Sequence, residues 1–398
     1  MEALLYITYL AIIFLVGLLA SIAASKFKLP NVLLLLLAGI LMSMVTYKGE
    51  QAVNFPPVFM TSIGILALVM IVFDGSSRFN WKEFDTFSLR AIKLVVAFLF
   101  ANMIFLSFFL MFIFKITSIY VALIFAVLMT ATAPELVFFM MKESSGKIID
   151  FLKVEAIVNT PIIVLLPFII IDLQNSLATD ASGFFLDNFV LQIAPFLQQI
   201  ITGVGAGALI GVIIFKAMRT QYSETLSPLA LIAAALLAYI LAENLGGNGV
   251  LAVTTLGLFF GNIYIIGKKH MQEFSSLFSN FLEIIVFVMI GFLVKVPLNL
   301  SFFLLSLALF MYYLIIRFIT IHFTFRENYF SLREKIFMTL NAPKGIAVAT
   351  VTFLLATLAI PELSFMLDLL ILMVFYSIIT SSIIVKFSKY FIHQKIIK

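Results

Sequence analysis

Apolar stretches, each followed by a short charged, Gly or Pro cluster, recur from end to end of the 398-residue chain. At about 1.5 Å rise per residue they are long enough to cross a hydrocarbon core about 30 Å thick. They place spans over 3–25, 31–47, 57–74, 88–114, 117–141 and 148–173. A polar loop, Gln174 to Asn188, leads to a linking span over about 189–217. Six more follow, over 227–245, 249–265, 275–297, 299–323, 333–358 and 363–390. The pattern predicts an all-α polytopic membrane protein of about 13 transmembrane helices, with the lipid bilayer as its main solvent.

Charge tests that map. An odd number of spans puts the termini on opposite sides, and cytoplasmic loops carry the excess of Lys and Arg. Twenty of the 25 basic residues, from Lys26 and Lys28 through Arg78, Arg326 and Lys398, fall on the loops and helix ends of one side. Lys48, Lys115 and Lys295 fall on the other, while Arg317 and Lys344 lie inside spans. The N-terminus is therefore expected outside and the C-terminus in the cytoplasm of a cell membrane. The first span begins at residue 3, so no cleaved leader is expected, nor any regulatory domain after the last span.

Composition narrows the chemistry. The chain is 63% hydrophobic and 11% charged, outside the range of soluble domains. With no Cys and three scattered His (His270, His322, His393), neither a metal site nor a cofactor is expected. The net charge of +5 has a topological explanation, so nucleic acid is not an expected partner. No nucleophile elbow or Gly-rich phosphate loop is present, which argues against an enzyme.

Short matches recur at an offset of seven spans. Val32-Leu33 with Gly39 matches Val250-Leu251 with Gly257, and Val69-Met70-Ile71-Val72-Phe73 matches Val288-Met289-Ile290-Gly291-Phe292. The same offset pairs Ala133-Pro134 of the fifth span with Ala342-Pro343-Lys344-Gly345 of the twelfth. An odd shift inverts one half relative to the other. The chain thus reads as a single membrane domain, 1–398, with repeat one over about 1–173, the linking span, and repeat two over about 227–390. Two inverted six-helix repeats with broken spans at matched positions are the architecture of secondary transporters, whose sites lie at the midplane. Proline removes a backbone hydrogen bond and clashes with the preceding turn, so interrupted helices at Ala133, Pro134, Pro343 and Lys344 are expected to cross there, exposing polar backbone.

Ionisable groups deep in spans must be paired or face a water-filled path. The acids are Asp74, Glu135, Glu155, Glu283 and Asp368; the bases are Arg317 and Lys344. Glu155 shares a helical face with Asn159 and is the expected structural ion-pair partner of Arg317 or Lys344. Asp74 sits either in a funnel or at a solvated helix end. Glu283 and Asp368 are either helix polar groups or functional acids.

These motifs together resemble the monovalent cation:proton antiporter superfamily, in particular the thirteen-span sodium/proton exchangers of archaea and bacteria. Lys26-Phe27-Lys28-Leu29-Pro30, Val72-Phe73-Asp74-Gly75 and Leu241-Ala242-Glu243 with Gly246-Gly247, Leu251-Ala252-Val253, Gly257 and Gly261 carry the likeness. So do Thr130-Ala131-Thr132-Ala133-Pro134, in the place of a Thr-Asp-Pro motif, and Glu155 with Asn159-Thr160-Pro161, in the place of a Glu and Asn-Asp motif. Ala342-Pro343-Lys344-Gly345 is similar to the family's Gly-Pro-Arg-Gly. The resemblance implies exchange of a monovalent cation for a proton, and a homodimer. It also marks two departures: Ala133 and Thr160 stand where the family's two ion-site aspartates should be.

A Thr hydroxyl does not titrate near neutral pH. The expected ion and proton site is accordingly a variant one, built from Asp74, Thr132, Glu155, Asn159 and Thr160, with the titratable role moved to Asp74 or Glu135, or held by Glu155 and Lys344. Three readings remain open: a Na+ or K+:proton antiporter with a variant ion site, a transport-incompetent sensor or partner subunit, and a carrier of a small anion or organic acid using Lys344.

Overall fold

The computed structural model describes residues 2–27, 31–47, 50–51, 56–78, 86–133, 147–179, 185–220, 223–293, 299–325, 329–357 and 361–391. The first repeat's helices are α1 (Glu2–Phe27), α2 (Asn31–Ser43), α3 (Pro57–Ser77), α4 (Thr86–Ala101), α5 (Ser107–Phe114), α6 (Ile119–Thr130) and α7 (Lys147–Thr179). A π-helical turn, Asn102–Leu106, joins α4 to α5 in one continuous span. Next comes α8 (Phe185–Thr220), then α9 (Leu226–Asn244), α10 (Gly249–Asn262), α11 (Lys268–Leu293) and α12 (Leu300–Thr324). The last are α13 (Leu332–Leu340), α14 (Ile346–Thr357), α15 (Pro361–Lys386) and the short α16 (Ser388–Phe391). Among the described residues, eight helices are long and apolar enough to cross a membrane, and α2, α6 and α10 are shorter apolar ones.

The apolar runs become helices because helix closes every backbone hydrogen bond within the segment, as hydrocarbon requires. Their ends are set locally. Ser118, Asn248 and Asn299 accept from the backbone amides of Val121, Leu251 and Ser301 at 3.4, 2.9 and 3.0 Å. Ser331 and Glu334 form a reciprocal cap on α13. Lys115 has φ 54°, a left-handed stop that turns the chain sharply from α5 towards α6.

Four boundaries differ from the hydropathy pattern. Helix α2 stops at Ser43, and Thr46–Tyr47 (β1) pairs antiparallel with Glu50–Gln51 (β2). Helix α7 runs on to Thr179 and α8 begins at Phe185, so much of the expected polar loop is helical; α11 starts at Lys268. Polar turns that project beyond the hydrocarbon remain helical because the intrasegment bonds still satisfy the backbone there.

The repeat is visible in the packing. The most extensive contact between helices joins α2 to α11, and its counterpart under the seven-span offset, α10 with α3, is nearly as large. Both depend on the matched glycines. A Cβ on Gly39 would strike the Val288 carbonyl and lie 2.8 Å from Gly291 Cα, and a Cβ on Gly257 would strike Ser76 and lie 3.0 Å from the Phe73 carbonyl. The fold is two inverted six-helix repeats whose second and third helices pack crosswise.

Candidate functional site

The site begins where α6 stops. After Thr130 the chain leaves the helix over Ala131–Ala133, and the last carbonyls of α6 lose their partners from the next turn. Side chains replace them. Lys344 Nζ donates to the Met129 and Ala131 carbonyls, each at 2.6 Å, and Asn159 Nδ2 donates to the Thr130 carbonyl between them at 2.7 Å. An ammonium at a helix C-terminus also meets the negative end of the helix dipole.

The second interruption, 341–345, separates α13 from α14. The two breaks touch: the Ala133 amide donates to the Pro343 carbonyl at 2.8 Å. The Lys344 amide, freed by the break, donates to Ser377 Oγ of α15 at 3.0 Å, and Ser381 donates to the Asn341 side-chain carbonyl. Interrupted helices therefore cross and satisfy one another through backbone and side chain, as the paired prolines require. Pro134 and Glu135 lie outside the described residues. Thr160 lies on α7, where its side chain is likewise outside the description.

Two helices present matched pairs one turn apart. On α7 these are Glu155 and Asn159; on α12 they are Tyr313 and Arg317. Arg317 Nη2 holds both Glu155 oxygens, at 2.9 and 3.1 Å, and both side chains are 1% exposed. Arg317 Nε reaches the Met338 carbonyl at 3.3 Å, and its guanidinium lies 5.1 Å from the centroid of the Phe98 ring. One turn along, Lys344 Nζ donates to Tyr313 Oη at 2.6 Å and sits 4.5 Å from that ring's centroid. Arg317, not Lys344, is thus the partner of Glu155. The amine nitrogen of Lys344 is held by three neutral oxygens, as many as a protonated amine has hydrogens to give.

Asp74 stands apart, at the end of α3. Arg78 donates to it at 2.9 Å, and Ser276 of α11 donates at 3.0 Å. Arg78 is 48% exposed, so this cluster is at a helix end in contact with solvent. Glu283 and Asp368 each have an interaction partner.

Hydropathy alone passes over four participants: Asn102, Tyr313, Asn341 and Ser377. Asn102 Nδ2 donates to Thr130 Oγ1 at 3.0 Å. A lone amide in the apolar run Phe98–Phe105 is the signal that points to it, since an unpaired polar group at that depth is costly.

Residues 10–388 match the family described as Sodium/hydrogen exchanger, transmembrane. The chain belongs to the sodium/hydrogen exchanger family. Within the exchangers, it is 25% identical over 378 residues to "Probable Na(+)/H(+) antiporter 2" of Methanocaldococcus jannaschii, covering 90% of this chain and 86% of that one. It is 28% identical over 309 residues to "K(+)/H(+) antiporter NhaP" of Alkalimonas amylolytica, covering 74% of this chain and 50% of the relative. Among solved structures, the fold is similar to that of the sodium proton antiporter MjNhaP1 of Methanocaldococcus jannaschii at pH 8, with TM-score 0.77 and 19% identity over 98% of both chains. That likeness supports the exchanger fold.

Proposed function

We propose that the chain is a secondary active transporter exchanging a monovalent cation, Na+ or K+, for a proton at a variant ion site in which Lys344 carries the proton. The observation that carries this reading is the setting of the Lys344 ammonium. Three neutral oxygens hold it at 2.6 Å, and among the described residues no carboxylate joins them. Neutral oxygens in a ring are also what replaces the hydration shell of an alkali cation.

Charge balance then links the two species. Among the described residues, the charged groups acting on Lys344 are Glu155 and Arg317, which cancel. With Lys344 protonated the crossing holds one net positive charge, and a second in the same low-dielectric volume is costly. Entry of a cation is therefore coupled to loss of the Lys344 proton: one cation bound, one proton released, the amine left neutral. Each loaded state carries one charge, so the exchange is one for one and electroneutral. The names of the relatives, Na+/H+ and K+/H+ antiporters, support the same class.

The alternatives fare less well. An anion carrier built on Lys344 needs that nitrogen to have donors to spare, and three oxygens already surround it. A transport-incompetent subunit is what the test below returns if no flux is found. The excess of basic residues on one side supports an N-terminus outside and a C-terminus in the cytoplasm of the cell membrane. The resemblance supports a homodimer, with the repeats bounded as the sequence divides them.

Purified protein in liposomes, with an internal pH dye, decides the matter. Addition of Na+, K+ or Li+ is expected to drive proton efflux or uptake that Lys344→Met abolishes. Folded, monodisperse protein that responds to no cation overturns the reading in favour of the partner-subunit one.

A further inference from the structure

Asn102 is 0% exposed and opens the π-helical turn that interrupts the α4–α5 span. A π turn is rare, forfeits regular hydrogen bonding and is found disproportionately at functional sites. Here it places an amide against Thr130, the last residue of α6. Thr130 Oγ1 donates its single hydrogen to the Ala126 carbonyl at 3.0 Å, so it can only accept from Asn102. The nitrogen of the Asn102 amide must face Thr130, and the oxygen is left over. The same logic fixes Asn159: the Thr130 carbonyl can only accept, so Asn159 Nδ2 faces it and Asn159 Oδ1 is left over. Thr130 is therefore gripped by two amides, one from α4 and one from α7.

Asn102 Oδ1, Asn159 Oδ1 and Thr132 Oγ1 are all buried and have no hydrogen-bond partner. A buried polar atom without a partner costs about 1–3 kcal/mol and calls for a physical account. All three flank one short segment, Thr130–Thr132, at the end of the broken helix. We propose that Asn102 is a specificity-determining residue, its amide oxygen joining the amide oxygen of Asn159 and the hydroxyl of Thr132 as neutral ligands for a dehydrated monovalent cation. This rests on the cation reading above but not on the role given there to Lys344. Neutral oxygens suit an alkali ion, whereas Ca2+ and Mg2+ sites draw on carboxylates. The π turn is then the device that brings a ligand from α4 within reach of the α6 terminus.

Thermal melting of the purified protein tests this without requiring transport, because a ligand that binds only the folded state raises Tm. Melting is followed in choline chloride and against rising Li+, Na+, K+ and Rb+. For the wild type at least one alkali cation is expected to raise Tm saturably. Asn102→Ala should weaken the half-saturating concentration about tenfold, the effect of one lost ligand, and change the order of cation preference. Asn102→Asp, which keeps the shape and so guards against a folding failure of the first variant, should tighten it. A residue with only a structural role lowers Tm equally in choline and every salt. Unchanged affinity and cation order in Asn102→Asp would therefore overturn the proposal, as would a wild type whose Tm no cation moves. A wild type that is stabilised by cations yet shows no cation-driven proton flux defeats the exchange reading and leaves this ligand set in place.

Discussion

The Ala133 amide and the Pro343 carbonyl meet at 2.8 Å, joining the two interrupted segments through main chain. Both partners are main chain, so apart from proline at position 133 no substitution removes the bond, and the crossing can hold its shape while the side chains around it change identity. A crossing held through main chain does not depend on an acid at Ala133. The charge that has to be handled there is now that of Lys344.

Lys344→Met tests that charge directly. The variant keeps an apolar stem and removes the donor to Met129 and Ala131. Cation-driven proton flux is expected to fall about 100-fold or more, the scale on which a positioned proton carrier acts. Two stranded carbonyls should also lower the melting temperature, each costing about 1–3 kcal/mol. Retention of wild-type flux would remove Lys344 from the mechanism.

Glu155→Gln leaves Arg317 as an uncompensated buried charge, which costs about 3–5 kcal/mol. Folded yield by fluorescence-detected size-exclusion chromatography should drop sharply. Replacing Arg317 by Met in the same chain should recover much of it, since the pair is coupled. Normal yield with abolished flux would instead make Glu155 the proton carrier.

Electroneutral exchange predicts that an imposed membrane potential does not matter. Initial rates in liposomes clamped with valinomycin at different K+ gradients, with Na+ as the driving ion, should agree with one another. A rate that rises with inside-negative potential would show that net charge moves in each cycle.

The crosswise glycine contacts give a stability prediction with a built-in control. Gly257→Ala should lower Tm, because its Cβ meets Ser76 and the Phe73 carbonyl. Gly205→Ala, on α8 with nothing within 4 Å of the new atom, should be neutral or raise stability by about 0.5–1 kcal/mol. Equal melting of the two variants would contradict the close approach of α10 to α3.

How much of this was legible beforehand follows from what each residue has to do alone. The spans are written in hydropathy because lipid acts on every segment independently, and the interruption of the twelfth is written in Pro343. The matched glycines were visible as a pattern; their meaning, α2 against α11 and α10 against α3, required the two repeats to be placed together. Burial alone demanded a partner for Glu155 but did not choose between Arg317 and Lys344. The choice depends on α12 standing beside α7, with Tyr313 one turn from Arg317 to receive Lys344. Asn102 was hidden for a further reason: the π turn that aims it leaves no mark in the apolar period of its span.

The Glu155–Arg317 pair also bears on how the protein is made. Its members are 162 residues apart in the chain. Glu155 enters the bilayer on α7, and four further helices, α8 to α11, must be synthesised before α12 brings its counter-charge. Each charge alone at the centre of a helix costs about 2.5–3.5 kcal/mol on insertion scales. During synthesis the sixth span is thus held in the membrane by its apolar residues against its own carboxylate, and a chain truncated before α12 carries an exposed acid that quality control can recognise.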